Sequence, residues 1–194
     1  NVNATGYSVI AQTPADINSV YGQKIVKTDY NINPAAPVVT WPTASLTYGQ
    51  TLSQARLTGG SAKGVDDADL PGSFVWEKPD TNPAVADSGI TSYTLNFNPT
   101  DSTNYSSAQK ADMTVSVNKA NGTASVTMAS WEYGQTPSDP VPVSATNGTE
   151  NVSYQYKEST ADNTTYTSTK PTMPGHYTVR ATFGATTSYN TVTA

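Results

Sequence analysis

An internal repeat constrains the fold of this chain more than any other feature of its sequence. The triplet Tyr48-Gly49-Gln50 recurs as Tyr133-Gly134-Gln135, an offset of 133 − 48 = 85 in residue number. The segment that begins at Tyr93 recurs from Tyr177, an offset of 177 − 93 = 84. Self-similarity at a fixed period indicates tandem modules, so the repeat has to be recognised before strands and sites are assigned.

The repeat divides the chain into three predicted parts. Residues 36–120 form a complete repeat, and residues 121–194 form a second repeat that lacks its last strand. Residues 1–35 match only the later half of the pattern. They are predicted to be the C-terminal half of an upstream repeat, or donor strands for another copy of the fold.

Apolar and polar residues alternate with a period of two, which predicts half-buried antiparallel strands. The alternating apolar positions are Tyr93, Leu95 and Phe97, then Met113, Val115 and Val117, with the aromatic pairs Phe74 and Trp76, and Tyr154 and Tyr156. No long segment has helical spacing, and 13 Gly and 13 Pro interrupt the chain. Short strands joined by turns predict an all-β fold of tandem immunoglobulin-like antiparallel β-sandwiches.

A turn rich in Asp and Asn leads into Tyr105. The sequence Pro99-Thr-Asp-Ser-Thr-Asn-Tyr105 resembles a tyrosine corner, in which the phenol of a Tyr bonds to the backbone at one end of a sandwich. Weaker copies of this turn are present at residues 16–21 and 186–189. The pattern therefore predicts a hydrogen bond between the backbone and the Tyr105 hydroxyl.

Composition and charge exclude several classes of function. The net charge is −5, and the ten Lys and Arg residues are dispersed, so no nucleic-acid partner is expected. The chain has no Cys and one His, which removes thiolate chemistry and imidazole metal clusters. No apolar run is long enough for a membrane-spanning helix, so no membrane span is expected. We expect no cofactor, no metal and no catalytic residue.

Two groups of residues are nevertheless candidates for chemistry. His176 is a candidate for a hydrolytic triad, but it directly precedes a strand Tyr, where the first repeat has Ser92, so a surface His is the preferred interpretation. Asp66, Asp67 and Asp69 could bind calcium, but their spacing differs from that of an EF-hand loop. A solvated acidic loop is the preferred interpretation.

The three tryptophans have two candidate roles. Exposed on one face, Trp41, Trp76 and Trp131 could stack on sugar rings. However, Trp41 aligns with Val126 and Trp131 with Leu46 at the offset of 85, an exchange that an interior position tolerates. We therefore predict that all three contribute to the core.

Four motifs of residues 36–120 resemble the YGX-type MBG repeats, which are immunoglobulin-like modules of bacterial surface proteins. They are the Tyr48-Gly49-Gln50 triplet, the strand Gly72-Ser-Phe-Val-Trp76, the turn from Pro99 to Tyr105, and the ending Val117-Asn-Lys-Ala120. The second repeat has Gly184 in place of Pro99 and lacks the ending.

The resemblance implies a non-catalytic spacer or adhesin module, extracellular or on the cell wall of a bacterium. Its partners would be neighbouring repeats of the same protein, with a host molecule or polysaccharide as a candidate ligand. A carbohydrate-binding module of a secreted polysaccharide-degrading protein is one alternative. A head-to-tail filament subunit is another, in which the strand at residues 26–33 completes the last repeat of a neighbouring chain.

Overall fold

The computed structural model describes residues 7–12 and 25–194, which form an all-β fold. The strands are β1 (Tyr7–Gln12), β2 (Ile25–Tyr30), β3 (Val38–Thr40), β4 (Thr43–Thr47), β5 (Arg56–Thr58), β6 (Ser61–Lys63), β7 (Gly72–Trp76), β8 (Ser92–Pro99), β9 (Ala108–Asn118), β10 (Ser125–Thr127), β11 (Val141–Val143), β12 (Val152–Glu158), β13 (Tyr177–Phe183) and β14 (Val192–Thr193).

Helical structure in the described residues is limited to single 3₁₀ turns. These turns are Leu52–Gln54, Val65–Asp67, Val85–Asp87 and Asn163–Thr165. The all-β class predicted from the sequence is therefore confirmed. No helix in the described part of the chain has the length and apolar character that crossing a membrane requires.

The chain divides into two compact units. The first contains the described residues up to Ala44, together with Leu57–Pro79 and Ser92–Met113. The second contains Ser45–Arg56, Asp80–Thr91 and Thr114–Ala194. The boundaries predicted from the repeat, at residues 35 and 120, stay predictions.

In the first unit, two pairs of strands contribute side chains to one core. β3 pairs with β6, and β7 pairs with β8, both antiparallel. The centre of the core is formed by Ala62, Leu70 and Phe97, against which Val39 and Phe74 pack. Side chains from both strand pairs therefore meet in a single apolar cluster, as the alternation of their sequences requires.

A five-stranded sheet has the order β5-β4-β9-β8-β7, with β9 at its centre. In β9, Met113, Val115 and Val117 are buried, whereas the intervening Thr114 and Ser116 are exposed. Because successive side chains of a strand point to opposite faces, one face of β9 is apolar and the other polar. The half-buried strand predicted here is confirmed.

In the second unit, β12, β13 and β14 form a three-stranded antiparallel sheet, and β10 pairs with β11. Tyr156, Ala181 and Phe183 are buried apolar residues of this sheet. β14 contributes only Val192 and Thr193 to the ladder with β13. The outer edge of this sheet is therefore paired over a short distance only.

The hairpins β7–β8 and β12–β13 have the same register. Phe74 lies opposite Phe97, and Tyr154 lies opposite Ala181. Tyr154 corresponds to Phe74 at an offset of 154 − 74 = 80, and Ala181 corresponds to Phe97 at an offset of 181 − 97 = 84. The sequence repeat is thus also a repeat of strand pairing, with a change of loop length between the strands.

Candidate functional site

The turn before Tyr105 is closed by bonds between its own residues, and the Tyr105 hydroxyl bonds to the backbone, as predicted. The Asp101 carboxylate accepts bonds from the backbone N–H of Asn104 at 3.1 Å and from its side-chain amide at 2.7 Å. The Tyr105 hydroxyl accepts a bond from the backbone N–H of Val65 at 3.2 Å. A Cβ on Gly64 would lie 2.5 Å from that hydroxyl, so the phenol requires glycine there.

The Asn104 bonds also affect the titration of Asp101. The side-chain amide of Asn104, followed by its backbone N–H, stabilises the carboxylate and lowers the pKa of Asp101 below its ordinary value of 3.8. Thr186 takes the corresponding place in the second repeat, where its hydroxyl accepts a bond from the N–H of Tyr189 at 3.0 Å. The copy of the turn at residues 16–21 lies outside the described residues.

Each of these tyrosines forms a parallel bridge to an alanine upstream of its repeat. Ala35 pairs with Tyr105, and Ala120 pairs with Tyr189. At the second bridge, the ammonium of Lys119 also donates a bond to the carbonyl of Thr186 at 2.6 Å. The contact of Lys119 and Ala120 with residues 186–190 is named the junction below.

The two Tyr-Gly-Gln turns share a backbone conformation but not their side-chain surroundings. Gly49 and Gly134 have φ angles of +91° and +84°, which favour glycine. The Tyr48 ring lies edge-on to the ring of Tyr189, with centroids 5.5 Å apart. Tyr133 is 70% exposed. The repeat therefore preserves the turn, whereas the environment of its tyrosine differs.

An open groove of about 320 Å³ lies in the second repeat. One wall is the segment Met128–Tyr133, which includes Trp131, and the other includes Tyr177 and Val179 of β13. Tyr156 also contributes to the lining. Aromatic rings and methionine side chains lie there beside exposed polar atoms, so a segment that presents both apolar side chains and hydrogen-bonding groups could be bound.

The edge of β13 beside this groove has unsatisfied backbone groups. β14 pairs with Thr182 and Phe183, and Ala181 exchanges two 2.9 Å backbone bonds with Ala194. Since N–H groups alternate along a strand, those of Val179 and Tyr177 point to the same edge as that of Ala181. Within the described residues, no backbone carbonyl accepts from either N–H group.

The tryptophans do not form one exposed platform. Trp76 is 5% exposed, which confirms its predicted place in the core. Trp41 is half-buried, and its ring lies 5.8 Å from that of Phe74. Trp131 is half-buried as well, but it lines the groove. Of the three, Trp131 is thus the one placed where a ligand could reach an indole ring.

His176 is exposed and directly precedes β13, as expected of a surface histidine. Its carbonyl accepts a 2.9 Å bond from the N–H of Ser159. In the part of the chain that the structure describes, no hydrogen bond or ion pair connects its imidazole to a Ser or an Asp.

The acidic loop is held by a lysine. The Lys63 ammonium donates a 2.7 Å hydrogen bond to the Asp69 carboxylate, and this bond lowers the pKa of Asp69 and raises the pKa of Lys63. Asp66 and Asp67 are both exposed. No cluster of three His, Cys, Asp or Glu residues able to hold a metal ion is found among the residues described.

No protein-family model, curated protein or solved structure matches this chain. The assignment to the MBG repeats accordingly stays a prediction that depends on the four motifs.

The sequence did not predict the groove as a site, nor the role of Asn147. This buried side chain donates 2.9 Å bonds to the carbonyls of Gly184 and Asn190, and so it fixes two loops of the second repeat. No pattern of residue types distinguished Asn147 from the other asparagines of this Asn-rich chain.

Removing the Tyr105 hydroxyl should destabilise the chain. We expect Tyr105→Phe to lower the free energy of unfolding by about 0.5–1.5 kcal/mol, because the Val65 N–H loses its acceptor. Tyr133→Phe removes a hydroxyl from an exposed ring and should have no measurable effect. Urea denaturation followed by tryptophan fluorescence measures both. Equal destabilisation by the two variants would contradict the role of Tyr105.

The Asp101 turn should make stability depend on pH. Since the folded state lowers the pKa of Asp101, its stabilisation is complete above 3.8 and is lost as the pH falls through the lower, folded value. Asp101→Asn should therefore melt below the wild type at pH 7, and this difference should shrink below pH 3.8. Thermal melts followed by circular dichroism measure it. A difference that stays constant with pH would exclude the ionised carboxylate as the cause.

Proposed function

We propose that this chain is a non-catalytic, extracellular segment of a bacterial surface protein, built from tandem immunoglobulin-like sandwiches of the MBG type. Its role is that of a spacer or adhesin module. The proposal includes no enzyme activity, because the chain has one His and no Cys.

The observation that carries this proposal is the repeat of strand pairing. The hairpins β7–β8 and β12–β13 keep one register, and the two alanine–tyrosine bridges recur with them. In tandem arrays each module contacts its neighbours and adds length in regular steps. Such an architecture suits a protein that places a binding domain at a distance from the cell.

The packing of the first unit supports the sandwich. Val39 and Ala62 belong to the β3–β6 pair, and Phe74 and Phe97 belong to the β7–β8 pair. Side chains of two sheets that interdigitate in one cluster are typical of β-sandwiches. The bond from the Val65 N–H to the Tyr105 hydroxyl joins two loops of this unit.

The hydrogen bonds of the junction support the proposed role as a spacer. The carbonyl of Ala120 accepts a bond from the N–H of Asn190 at 2.8 Å, and the N–H of Ala120 donates one to the carbonyl of Ser188 at 3.0 Å. The Lys119 bond to Thr186 adds a charge-assisted contact. Because both backbone polar groups of Ala120 are hydrogen-bonded, rotation of the backbone at the junction is restricted.

Single-molecule stretching of the full chain between two handles tests the spacer. The repeat at residues 36–120 should unfold in one discrete event, because the β3–β6 and β7–β8 pairs contribute to one core. That event should release about 280–310 Å of chain, less the folded length, since an extended residue spans about 3.3–3.6 Å.

Variants of β8 provide the controls for this experiment. Leu95→Ala removes a side chain with 0% exposure, so it should lower the unfolding force while the released length stays the same. Asn98→Ala, at an exposed position of the same strand, should leave both unchanged. Gradual extension without a discrete event would contradict the proposal.

A carbohydrate-binding module is the second candidate, because Trp131 and Tyr133 line an open groove. Calorimetric titration with cello-, xylo- and chito-oligosaccharides distinguishes the two functions. The spacer proposal expects no saturable binding. Binding that is lost in Trp131→Ala and kept in Asn98→Ala, a variant outside the groove, would instead assign the groove to a sugar, since aromatic stacking depends on the indole ring.

A further inference from the structure

The outer face of the hairpin β12–β13 carries two cations and no acid. Tyr156 and Ala181 are buried on the inner face, so the side chains that alternate with them point outward. These outward positions form three pairs across the hairpin, Ser153 with Thr182, Gln155 with Arg180, and Lys157 with Thr178. The chain has 15 acidic and 10 basic residues, so the charge of this face is opposite in sign to the net charge of −5.

The corresponding positions of the hairpin β7–β8, all of them described, include no cation. Lys157 corresponds to Glu77 at an offset of 157 − 77 = 80, and Arg180 corresponds to Asn96 at an offset of 180 − 96 = 84. The two hairpins share one register although these residues differ. Strand pairing therefore requires neither cation, and their presence on one face needs another reason.

The guanidinium of Arg180 is held in place by two neutral side chains. Its Nε and Nη2 atoms donate to Oε1 of Gln155 at 3.2 and 2.6 Å. Its central carbon lies 3.9 Å from the centroid of the Tyr166 ring. Tyr166 belongs to the loop between β12 and β13, which is 84 − 80 = 4 residues longer than its counterpart in the first repeat. The longer loop and the strand pair together fix the orientation of the guanidinium.

The charge of Arg180 has no counter-ion in the part of the chain that the structure describes. A guanidinium has five N–H donors, and the bonds to Gln155 leave three of them available. None of these three donates to a described residue, and none of the ion pairs between described residues includes Arg180. A fixed guanidinium with free donors and an uncompensated charge is suited to bind an anion.

Lys157 adds a second positive charge beside the same ring. Its ammonium lies 5.7 Å from the centroid of the Tyr166 ring and donates a 2.7 Å bond to the carbonyl of Ala161. The loop also contains Asp162, but the carboxylate of Asp162 accepts 2.8 Å bonds from the N–H and the hydroxyl of Thr164. No ion pair joins Lys157 to an acid among the residues described.

We propose that this outer face binds an acidic polysaccharide, and that Arg180 contacts the carboxylate of a uronic acid. Such a site goes beyond the proposed spacer function, which the stretching experiment tests separately. The planar guanidinium matches the two oxygens of a carboxylate. Because Gln155 and Tyr166 already hold the side chain, little of its conformational freedom is lost on binding.

The neighbours of Arg180 favour an acidic sugar over an acidic peptide. Ser153 and Thr182 place hydroxyls on the same face, and a hydroxyl can both donate to and accept from the hydroxyls of a sugar. All six outward positions of the hairpin are polar, so a peptide would find no apolar pocket of the kind that dominates binding between proteins. A uronic acid combines one carboxylate with several hydroxyls on a single ring.

Calorimetric titration of the full chain tests the proposal with three probes, which are tetragalacturonate, tetramannuronate and a hyaluronan hexasaccharide. At least one should bind saturably, and its methyl ester should bind about tenfold more weakly or not at all, because the ester has no carboxylate. Arg180→Lys keeps the charge but loses the planar fork, so it should also weaken binding about tenfold. Lys110→Gln removes a cation of β9 that pairs with Asp112 and should leave binding unchanged.

Two variants of Tyr166 test its role as a positioning residue. Tyr166→Leu removes the aromatic face and should weaken binding about two- to fivefold, whereas Tyr166→Phe keeps the ring and should bind as the wild type does. Circular dichroism of each variant shows that it is folded. Equal weakening by both variants would exclude the ring as the group that positions Arg180.

Nuclear magnetic resonance locates the bound probe. The Nε–H signal of Arg180 and the side-chain amide of Gln155 should shift as the probe is added. The side-chain amides of Asn96 and Gln109, which bond to each other at 3.2 Å in the first repeat, should not shift. Shifts confined to the indole of Trp131 would assign the sugar to the groove and overturn the proposal.

Three further results would also contradict the proposal. They are the absence of saturable binding by all three oligosaccharides at millimolar concentration, binding that Arg180→Lys leaves unchanged, and equally tight binding of a hexaglutamate peptide. The last result would show that the face recognises a carboxylate without regard to the sugar.

Discussion

The burial of one face of β9 is the constraint on which the rest of the structure depends. Met113, Val115 and Val117 are each 5% exposed or less. Fully burying a side chain of this size contributes about 1.5–3 kcal/mol. Because β9 is the central strand of its sheet, its buried face lies between those of the paired strands β4 and β8. Without its central strand, such a sheet would be divided into two parts, each with an unpaired edge.

The second repeat separates local strand pairing from long-range strand pairing. Its hairpin β12–β13 keeps the register of β7–β8. The segment Met128–Tyr133, however, forms no strand, although its counterpart β4 does. Antiparallel pairing of a hairpin is local, whereas β4 has to pair with a strand far away in sequence. The hairpin is therefore present in both repeats, whereas the strand that depends on a distant partner forms in the first repeat alone.

Much of the fold could be predicted because alternation and repetition are local properties of sequence. The buried positions of β9, the core place of Trp76 and the Tyr105 hydrogen bond follow from the pattern alone. The groove and the role of Asn147 could not be predicted, because they depend on which distant segments meet in space. The alignment predicted Trp131 to be interior, whereas the structure places it half-buried in the lining of the groove.

The two repeats differ in length within the loops that flank their aromatic strands. Between the Tyr-Gly-Gln turn and the aromatic strand, the offset falls from 85 to 80, and before β13 it returns to 84. The first change shortens the segment between the Tyr-Gly-Gln turn and the aromatic strand, and the second lengthens the loop between β12 and β13, which contains the Asn163–Thr165 turn. Insertions and deletions at both places have therefore left the hairpin undisturbed. A protein engineer who wished to display a peptide on this scaffold would graft it after β12, away from the junction.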